Sequence, residues 1–378
     1  MTQPTEPLFI ETWDEETFRN SRSEWDDLLK RSSCDQLFLS WEWLFPWWET
    51  FSDRDSMQLY ILAARNAAGT LIGVAPLYIH EIKVKGLISS RILQFIGNCW
   101  RGRSTMRTEL MEFIMDDSCS QFAAMQFYKS IFKDKKWDEL TLSNLLVNSD
   151  TYNFLENIIR KNNYYIRKPE FYFSYYVSNI NSYKDYLAKL GKNTRLKLHN
   201  RRKILENIEG TSYIPNNNRT IKENFELLNA FHLKRWGKPA FENEFLRYNL
   251  NISELFNQKN ALKFSEIKSN GEPISLQYNF HINNKIYNIQ SGYQENYHKK
   301  LALGYLHFGY EIEDIFNKNI KYYDFLAGDG KNTNYKASLT TQKTELINIQ
   351  IIRNKKLQIV YQLYDYINKI KSRIFRTA

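Results

Sequence analysis

Apolar positions recur at helical spacing over Glu15–Lys30, and an aromatic segment, Phe38–Trp48, follows. Alternation then predicts a hairpin made of Gln58–Arg65, a turn at Asn66–Gly69, and Thr70–Ile82. Further strands are expected at Arg91–Ile96, Met106–Met115 and Asp138–Leu142, with helices at Cys119–Phe132 and Asp150–Lys161. Beyond residue 165 the composition shifts towards Asn, Lys, Ile and Tyr. A strand at Tyr164–Val177 precedes helical patterns at Ser182–Lys189, Asn193–Ile208, Thr220–Lys234 and Phe241–Phe256. The pattern then reads strand (Leu262–Lys268), turn (Asn270-Gly271), strand (Pro273–Ile282), strand (Lys285–Ser291), helix (Leu303–Asn317) and strand (Lys321–Ala327). A strand near Thr344–Arg353 and a helix from Lys355 end the pass.

Leu59–Ile79 and Leu262–Ile282 are weakly alike. Each is a strand, a turn ending in glycine (Gly69, Gly271) and an apolar strand, and the elements around them follow one order. Duplication of an α/β (α+β) unit, with mixed sheets flanked by helices, is one reading of this likeness, and two hairpins met by chance is the other. Domain boundaries are placed at 1–165, 166–354 and 355–378. The length suits two cores, and 43% hydrophobic residues with 15% aromatics supply them.

Charge divides the chain. Residues 1–160 hold 17 Lys and Arg against 23 Asp and Glu, a net of −6; the rest hold 35 against 19, a net of +16. A basic second half suits an anionic partner such as a nucleotide, a CoA pyrophosphate, nucleic acid or an acidic lipid face. Cys34, Cys99 and Cys119 are far apart and in no CxxC pattern, so reduced thiols are expected. No apolar run reaches spanning length and no signal peptide is expected, which points to the cytoplasm, with contact at the inner membrane face as an option. No His, Asp or Glu cluster has metal spacing, so no metal is expected, and no Ser or Cys has a nucleophile-elbow context.

The chemistry concentrates in Leu262–Lys336. The loop Lys299-Lys-Leu-Ala-Leu-Gly304 enters a helix whose first backbone amides are unpaired, beside two lysines, and that suits a pyrophosphate. Gly304 would let a ligand approach the backbone. Asp324, inside an apolar strand, needs a partner or becomes a base. Gly328-Asp-Gly330 and Tyr335-Lys336 are expected in a polar loop able to polarise a carbonyl or protonate a leaving group.

Phe231-His-Leu-Lys-Arg-Trp236, Lys300–Gly304, Tyr323-Asp-Phe-Leu-Ala-Gly328 and Tyr335-Lys336 resemble the CelD-like branch of the GNAT superfamily, which is related to FemA/B/X. Phe38-Leu-Ser-Trp41, Trp47-Trp48, Leu71–Leu77 and Leu93–Gly97 resemble that family's first half. The pattern departs at Leu303, where proline is usual, at Leu339, where an aromatic is, and in a longer loop from Gly328 to Tyr335. The resemblance implies a tandem GNAT-like fold and transfer of an acyl group, acetyl above all, from acyl-CoA to an amine. Polysaccharide or envelope biosynthesis is the implied setting, and a nucleotide- or lipid-linked amino sugar the implied acceptor.

In that reading Lys299, Lys300, Leu303 and Gly304 bind the cofactor, acetyl-CoA or another acyl-CoA. Asp324 or His232 is the base, with a packed, hydrogen-bonded histidine the plain alternative for His232, and Tyr335 or Lys336 stabilises the leaving thiolate or positions the acceptor. Arg195, Arg202, Arg235 and Trp236 would bind substrate. The first two lie on the basic helix Lys189–Lys203, which carries seven Lys and Arg and no acid. A solvated basic face is the plain alternative there, and no specific nucleic-acid module is present. The tail Lys355–Arg376 has apolar residues at helical spacing with six Lys and Arg against Asp365, so it docks on its domain or lies on an anionic membrane. Two other functions stay open: FemA/B/X-like transfer from aminoacyl-tRNA, and a non-catalytic, membrane-associated assembly factor.

Overall fold

The computed structural model describes residues 8–374 apart from 54, 85, 87, 102, 163 and 328–330. The chain divides into two compact units, Met1–Tyr172 with Leu346–Ala378, and Phe173–Glu345. The first contains β1 (Phe9–Trp13), α1 (Glu15–Asn20), α2 (Arg22–Lys30), α3 (Trp41–Phe51), β2 (Met57–Leu59), β3 (Ile61–Arg65), β4 (Leu71–Ala75), β5 (Leu77–Val84) and β6 (Ile88–Phe95). It continues with β7 (Ile114–Met115), α4 (Ser120–Lys133), β8 (Glu139–Leu146) and α5 (Asp150–Lys161). The chain leaves this unit within β9 (Tyr165–Val177) and returns within β15 (Gln342–Ile352), ending in α13 (Lys355–Ile374). Between them lie α6 (Tyr183–Lys189), α7 (Lys192–Arg195), a π-helical turn (Leu196–Asn200), α8 (Arg202–Glu206), β10 (Ser212–Ile214), α9 (Ile221–Trp236) and α10 (Asn243–Gln258). The second unit closes with β11 (Leu262–Ser269), β12 (Glu272–Ile282), β13 (Lys285–Tyr293), α11 (Leu303–Asn317), β14 (Tyr322–Ala327) and α12 (Lys331–Leu339).

In the first unit the strands order as β1-β3-β4-β7 and as β15-β8-β6-β5-β2; in the second they order as β10-β11-β12-β13-β14-β9. The aromatic segment became α3, whose Trp43, Trp47 and Trp48 are buried in the first core. The indole N–H groups of Trp43 and Trp47 find acceptors in Thr108 Oγ1 (2.9 Å) and the Met106 carbonyl (3.2 Å), as buried indoles require. Helix starts follow local chemistry. Asp14 accepts from the Thr17 amide, and Thr220 and Glu223 form a reciprocal capping box at the head of α9.

The two hairpins suspected of duplication are equivalent. Gly69 and Gly271 both turn their chains at left-handed φ, +79° and +81°. Each hairpin is followed by an antiparallel partner (β5 with β6, β12 with β13). A helical crossover, α4 or α11, then leads to a parallel strand (β6 with β8, β13 with β14).

One strand expected from the sequence is mostly absent. Of Met106–Met115, only Ile114–Met115 is a strand, with a bridge from Met111 to Leu145. The rest carries Thr108, whose side chain and backbone serve buried hydrogen bonds that no ladder uses. The tail helix packs Leu357 and Tyr361 against Val84 and Ile352 of the first unit, and Arg167 holds Asp365 at 2.6 Å. Among the described residues no helix is long and apolar enough to cross a membrane.

Candidate functional site

The second unit opens between its two parallel strands. Their register pairs Lys285 with Tyr322, Ile286 with Tyr323 and Tyr287 with Asp324. Beyond that point both strands bulge. Ile289 is an extra residue between Asn288 and Gln290, which face Asn279 and Tyr278 of β12. In β14, Phe325 and Leu326 intervene between pairs that are only two residues apart on β9, and Leu326 takes φ +60°. A bulge bends and twists its strand, so β13 and β14 part after the third pair. Among the described residues, the edge of β13 from Asn288 to Tyr293 has no β14 partner.

The start of α11 meets this opening. The amides of Leu303, Gly304 and Tyr305 have no intrachain acceptor among the described residues, and the first satisfied one is Leu306, which donates to the Ala302 carbonyl. A Cβ on Gly304 would stand 2.8 Å from Tyr293 Cε1. The glycine is therefore demanded by the ring of Tyr293, where the sequence suggested open space for a ligand. Lys299 and Lys300 are exposed in the preceding loop. Leu303 is buried, packed in the cluster that holds Leu205 and Ile267.

Around Tyr293 several side chains converge. The Arg235 guanidinium lies 4.6 Å from the Tyr293 ring and 4.6 Å from the Trp236 ring, and pairs with Glu295 at 2.7 Å. Trp236 is 60% exposed, so one face of this stack is open to solvent. His232, one turn earlier on α9, places Nε2 3.1 Å from the Ser291 carbonyl. A carbonyl only accepts, so Nε2 carries the proton and Nδ1 keeps the lone pair. Burial lowers the His232 pKa, and the Arg235 charge adds to this against the opposing Ser291 bond.

Tyr335 lies with its ring centroid 6.1 Å from that of Tyr305 and 6.2 Å from that of Phe308. Burial, helped by Tyr293 and Tyr305, pushes its phenol up to about 12, so it is a proton donor at neutral pH. Lys197 Nζ sits 5.3 Å over the Tyr305 ring, bringing a cation to the first turn of α11.

Apart from Lys299, Lys300 and Leu303, the expected residues fall into two groups. His232, Arg235, Trp236, Gly304 and Tyr335 surround the opening through Tyr293 and Tyr305. Asp324, Lys336, Arg202 and Arg195 are occupied elsewhere. Asp324 is 2% exposed and fixed by Lys285 Nζ (2.9 Å), Ser174 Oγ (3.2 Å) and the Leu326 amide (2.8 Å). It holds the β14 bulge in shape. Lys336 donates to the Leu326 and Ala327 carbonyls at 3.2 and 2.9 Å, clamping the end of β14.

Arg202 is buried against the Tyr310 ring at 3.9 Å and pairs with Glu313, and Arg195 donates to the Leu187 carbonyl. Tyr335 and Lys336 sit on α12, a helix where a polar loop was expected; Gly328, Asp329 and Gly330 lie outside the described residues. Leu339, at the position of the expected aromatic, is fully buried, and its carbonyl accepts from Tyr186. His298 receives the Lys300 amide in the loop before α11.

Sequence reasoning missed Tyr293, Tyr305 and Lys197. Tyr293 and Tyr305 carried a signal, since both lie within four residues of an element end in the stretch already suspected. Lys197 did not, because its direction depends on the π turn. There the helix takes in an extra residue and rotates everything after it. Gly309 of α11 fixes the arrangement, since any Cβ there would overlap the Leu198 carbonyl.

Among the described residues no group of three or more His, Cys, Asp or Glu could hold a metal ion. Residues 192–337 match a family model described as an acetyltransferase (GNAT) domain. Among solved structures, FemX matches with 14% identity and TM-score 0.58, covering 94% of this chain and 99% of its own. A conserved protein of unknown function from Bacteroides thetaiotaomicron matches with 12% identity and TM-score 0.52, over 92% and 100% of the two chains. The DUF2156 domain of a proposed lysylphosphatidylglycerol synthetase from Agrobacterium fabrum matches with 8% identity and TM-score 0.50, over 91% and 96%. At these identities the likeness is one of fold. A search of curated proteins found no match.

Proposed function

We propose that the second unit transfers an acyl group, acetyl in the simplest case, from a CoA thioester to a primary amine. The observation that carries this reading is the parting of β13 and β14 at the unsatisfied start of α11. A donor with an extended amide arm can pair, as an added strand would, with the edge of β13 that β14 leaves, beside the Ser291 groups that His232 and Gln290 take. Its pyrophosphate then meets the amides of Leu303–Tyr305, with Lys299, Lys300 and Lys197 near the same helix end.

In this reading the amine is deprotonated at His232 Nδ1 and its nitrogen attacks the thioester carbonyl. The C–N bond forms, the C–S bond breaks, and Tyr335 gives its phenolic proton to the departing thiolate. Arg235 and Trp236, at the exposed edge, contact the acceptor. Asp324 and Lys336 act as positioning residues for the β14 bulge. The CelD-like resemblance makes an amino sugar of polysaccharide or envelope biosynthesis the acceptor of first choice.

Calorimetry with acetyl-CoA, longer acyl-CoAs and CoA alone tests the proposal. Binding of all three is expected, with the acyl chain setting the preference, and no heat with any of them overturns it. The +16 charge of the second half favours one other donor, aminoacyl-tRNA, as FemA/B/X resemblance implies. Salt-sensitive tRNA binding without CoA binding would select it.

A further inference from the structure

The tail helix α13 has two apolar faces and uses only one. Leu357 and Tyr361 are buried on Val84 and Ile352. Ile359, Leu363, Tyr366, Ile367 and Ile370 point away, with exposures from 41% to 65%. Their spacing, i, i+4, i+7, i+8 and i+11, places all five in one stripe along the helix. Beside the stripe runs a groove of about 470 Å³ lined by Val84, Val360, Leu363, Tyr364 and Ile367. The guanidiniums of Arg101 and Arg167 lie along it, 4.9 and 4.4 Å from the Tyr361 ring. An apolar stripe of this length exposed to water marks a surface that is covered in use.

Charge decides what covers it. Residues 355–376 contain six Lys and Arg and a single acid, Asp365, which Arg167 already binds through both oxygens. A second copy would bring the same positive charge against itself, whereas an anionic lipid surface complements it. Among the described residues no helix is long and apolar enough to span a bilayer, so α13 would lie in the interface plane.

We propose that the exposed stripe of α13 docks the protein on an anionic bilayer surface, with the groove beside Arg101 and Arg167 receiving lipid. The buried face, the Arg167–Asp365 pair and Tyr361 hold the helix to the first unit, so docking needs no unfolding. The proposal does not depend on the donor chemistry of the second unit.

Co-sedimentation of the full chain with phosphatidylglycerol-containing vesicles and with pure phosphatidylcholine vesicles tests it. Partitioning at least about tenfold stronger on the anionic vesicles is expected, weakening as salt rises. The double variant Leu363→Glu with Ile367→Glu should lose about tenfold of that partitioning while circular dichroism stays unchanged. Tyr366→Ser, a milder change on the same stripe, should lose a smaller part and guards against misfolding of the double variant. Failure to bind anionic vesicles, or equal binding by wild type and variants, overturns the proposal. So does a dimer in light scattering that the double variant dissociates, because the stripe would then be a self-association surface.

Discussion

The two units repeat one design and differ in what fills it. In both, a parallel pair lasts three residues, Ile92–Gln94 with Glu139–Thr141 and Lys285–Tyr287 with Tyr322–Asp324. In both, the second strand then bulges around a residue at left-handed φ, Asn144 at +52° and Leu326 at +60°. In the first unit the chain after β6 crosses the opening and fills it. Met111 bonds to the Asn144 carbonyl and receives the Leu146 amide, closing the strand edge. Asn98, Thr108 and Asn144 knit the interior, and a Cβ on Gly97 would stand 2.6 Å from Thr108 Oγ1. In the second unit, among the described residues, no chain segment crosses the gap: β13 from Asn288 to Tyr293 has no β14 partner, and side chains take the nearby carbonyls, His232 that of Ser291 and Lys336 those of Leu326 and Ala327. One copy fills its gap with its own backbone; the other leaves the amides of Leu303, Gly304 and Tyr305 without an intrachain acceptor among the described residues.

The largest expected effect lies in the filled unit. Asn144→Leu removes bonds to Asn98 and the Thr108 carbonyl and places a branched residue at positive φ, costing about 3–4 kcal/mol. Tryptophan fluorescence isolates this, since eight of the nine tryptophans precede residue 173. CoA affinity of the folded variant should hold; a matching loss of affinity would break the division between a structural copy and a binding one.

Next in size is Tyr335→Phe, which deletes the donor to the thiolate and should lower kcat about 100-fold, roughly 2.7 kcal/mol, with little change in KM. An equal change in KM would make Tyr335 a packing residue.

Acid should separate the units by about 2 kcal/mol in opposite directions. Glu112 in the first unit is pushed up to about 8 by burial and then by Asp35 and Asp150. Its folded pKa exceeds the unfolded value, so folding takes up a proton, and stability rises as pH falls from 8 towards 4.5. His307 in the second unit is held neutral by burial between Ser265 and Ser275, with its pKa lowered to about 3. The unfolded chain takes the proton first, so stability falls as pH drops from 6.5 towards 3. Between pH 7 and 5 the urea midpoint by fluorescence should rise while a circular-dichroism phase from the second unit moves earlier. Parallel shifts in both signals would refute the contrast.

The smallest effect is at Lys299→Ala or Lys300→Ala, each raising KM for the donor about two- to fivefold, under 1 kcal/mol, because both are exposed. The salt dependence of KM should weaken together with it.

Much of the fold was legible because its signals are local. The hairpin glycines, the helix expected from Thr220 and the strand expected at Lys285–Ser291 all rest on signals within a few residues. The strand expected at Met106–Met115 failed because Thr108 and Met111 make their bonds with Trp43, Gly97 and Asn144, which no window around them contains. Candidate residues divided in the same way. His232, Arg235 and Gly304, expected from motif and loop context, lie together around Tyr293. Asp324 and Arg202 looked available because the residues that occupy them, Lys285, Ser174 and Glu313, come from other elements.

The sequence by itself determined most of the order of elements, the glycine turns of both hairpins, the basic second half and the helix start at Leu303, since periodicity, turn chemistry and charge belong to neighbouring residues. The tertiary structure decided which copy stays open, which carboxylates and guanidiniums are already bound, and that the tail helix docks by one apolar face while presenting another. Those outcomes depend on partners distant in the chain and on a π turn whose rotation no local pattern encodes.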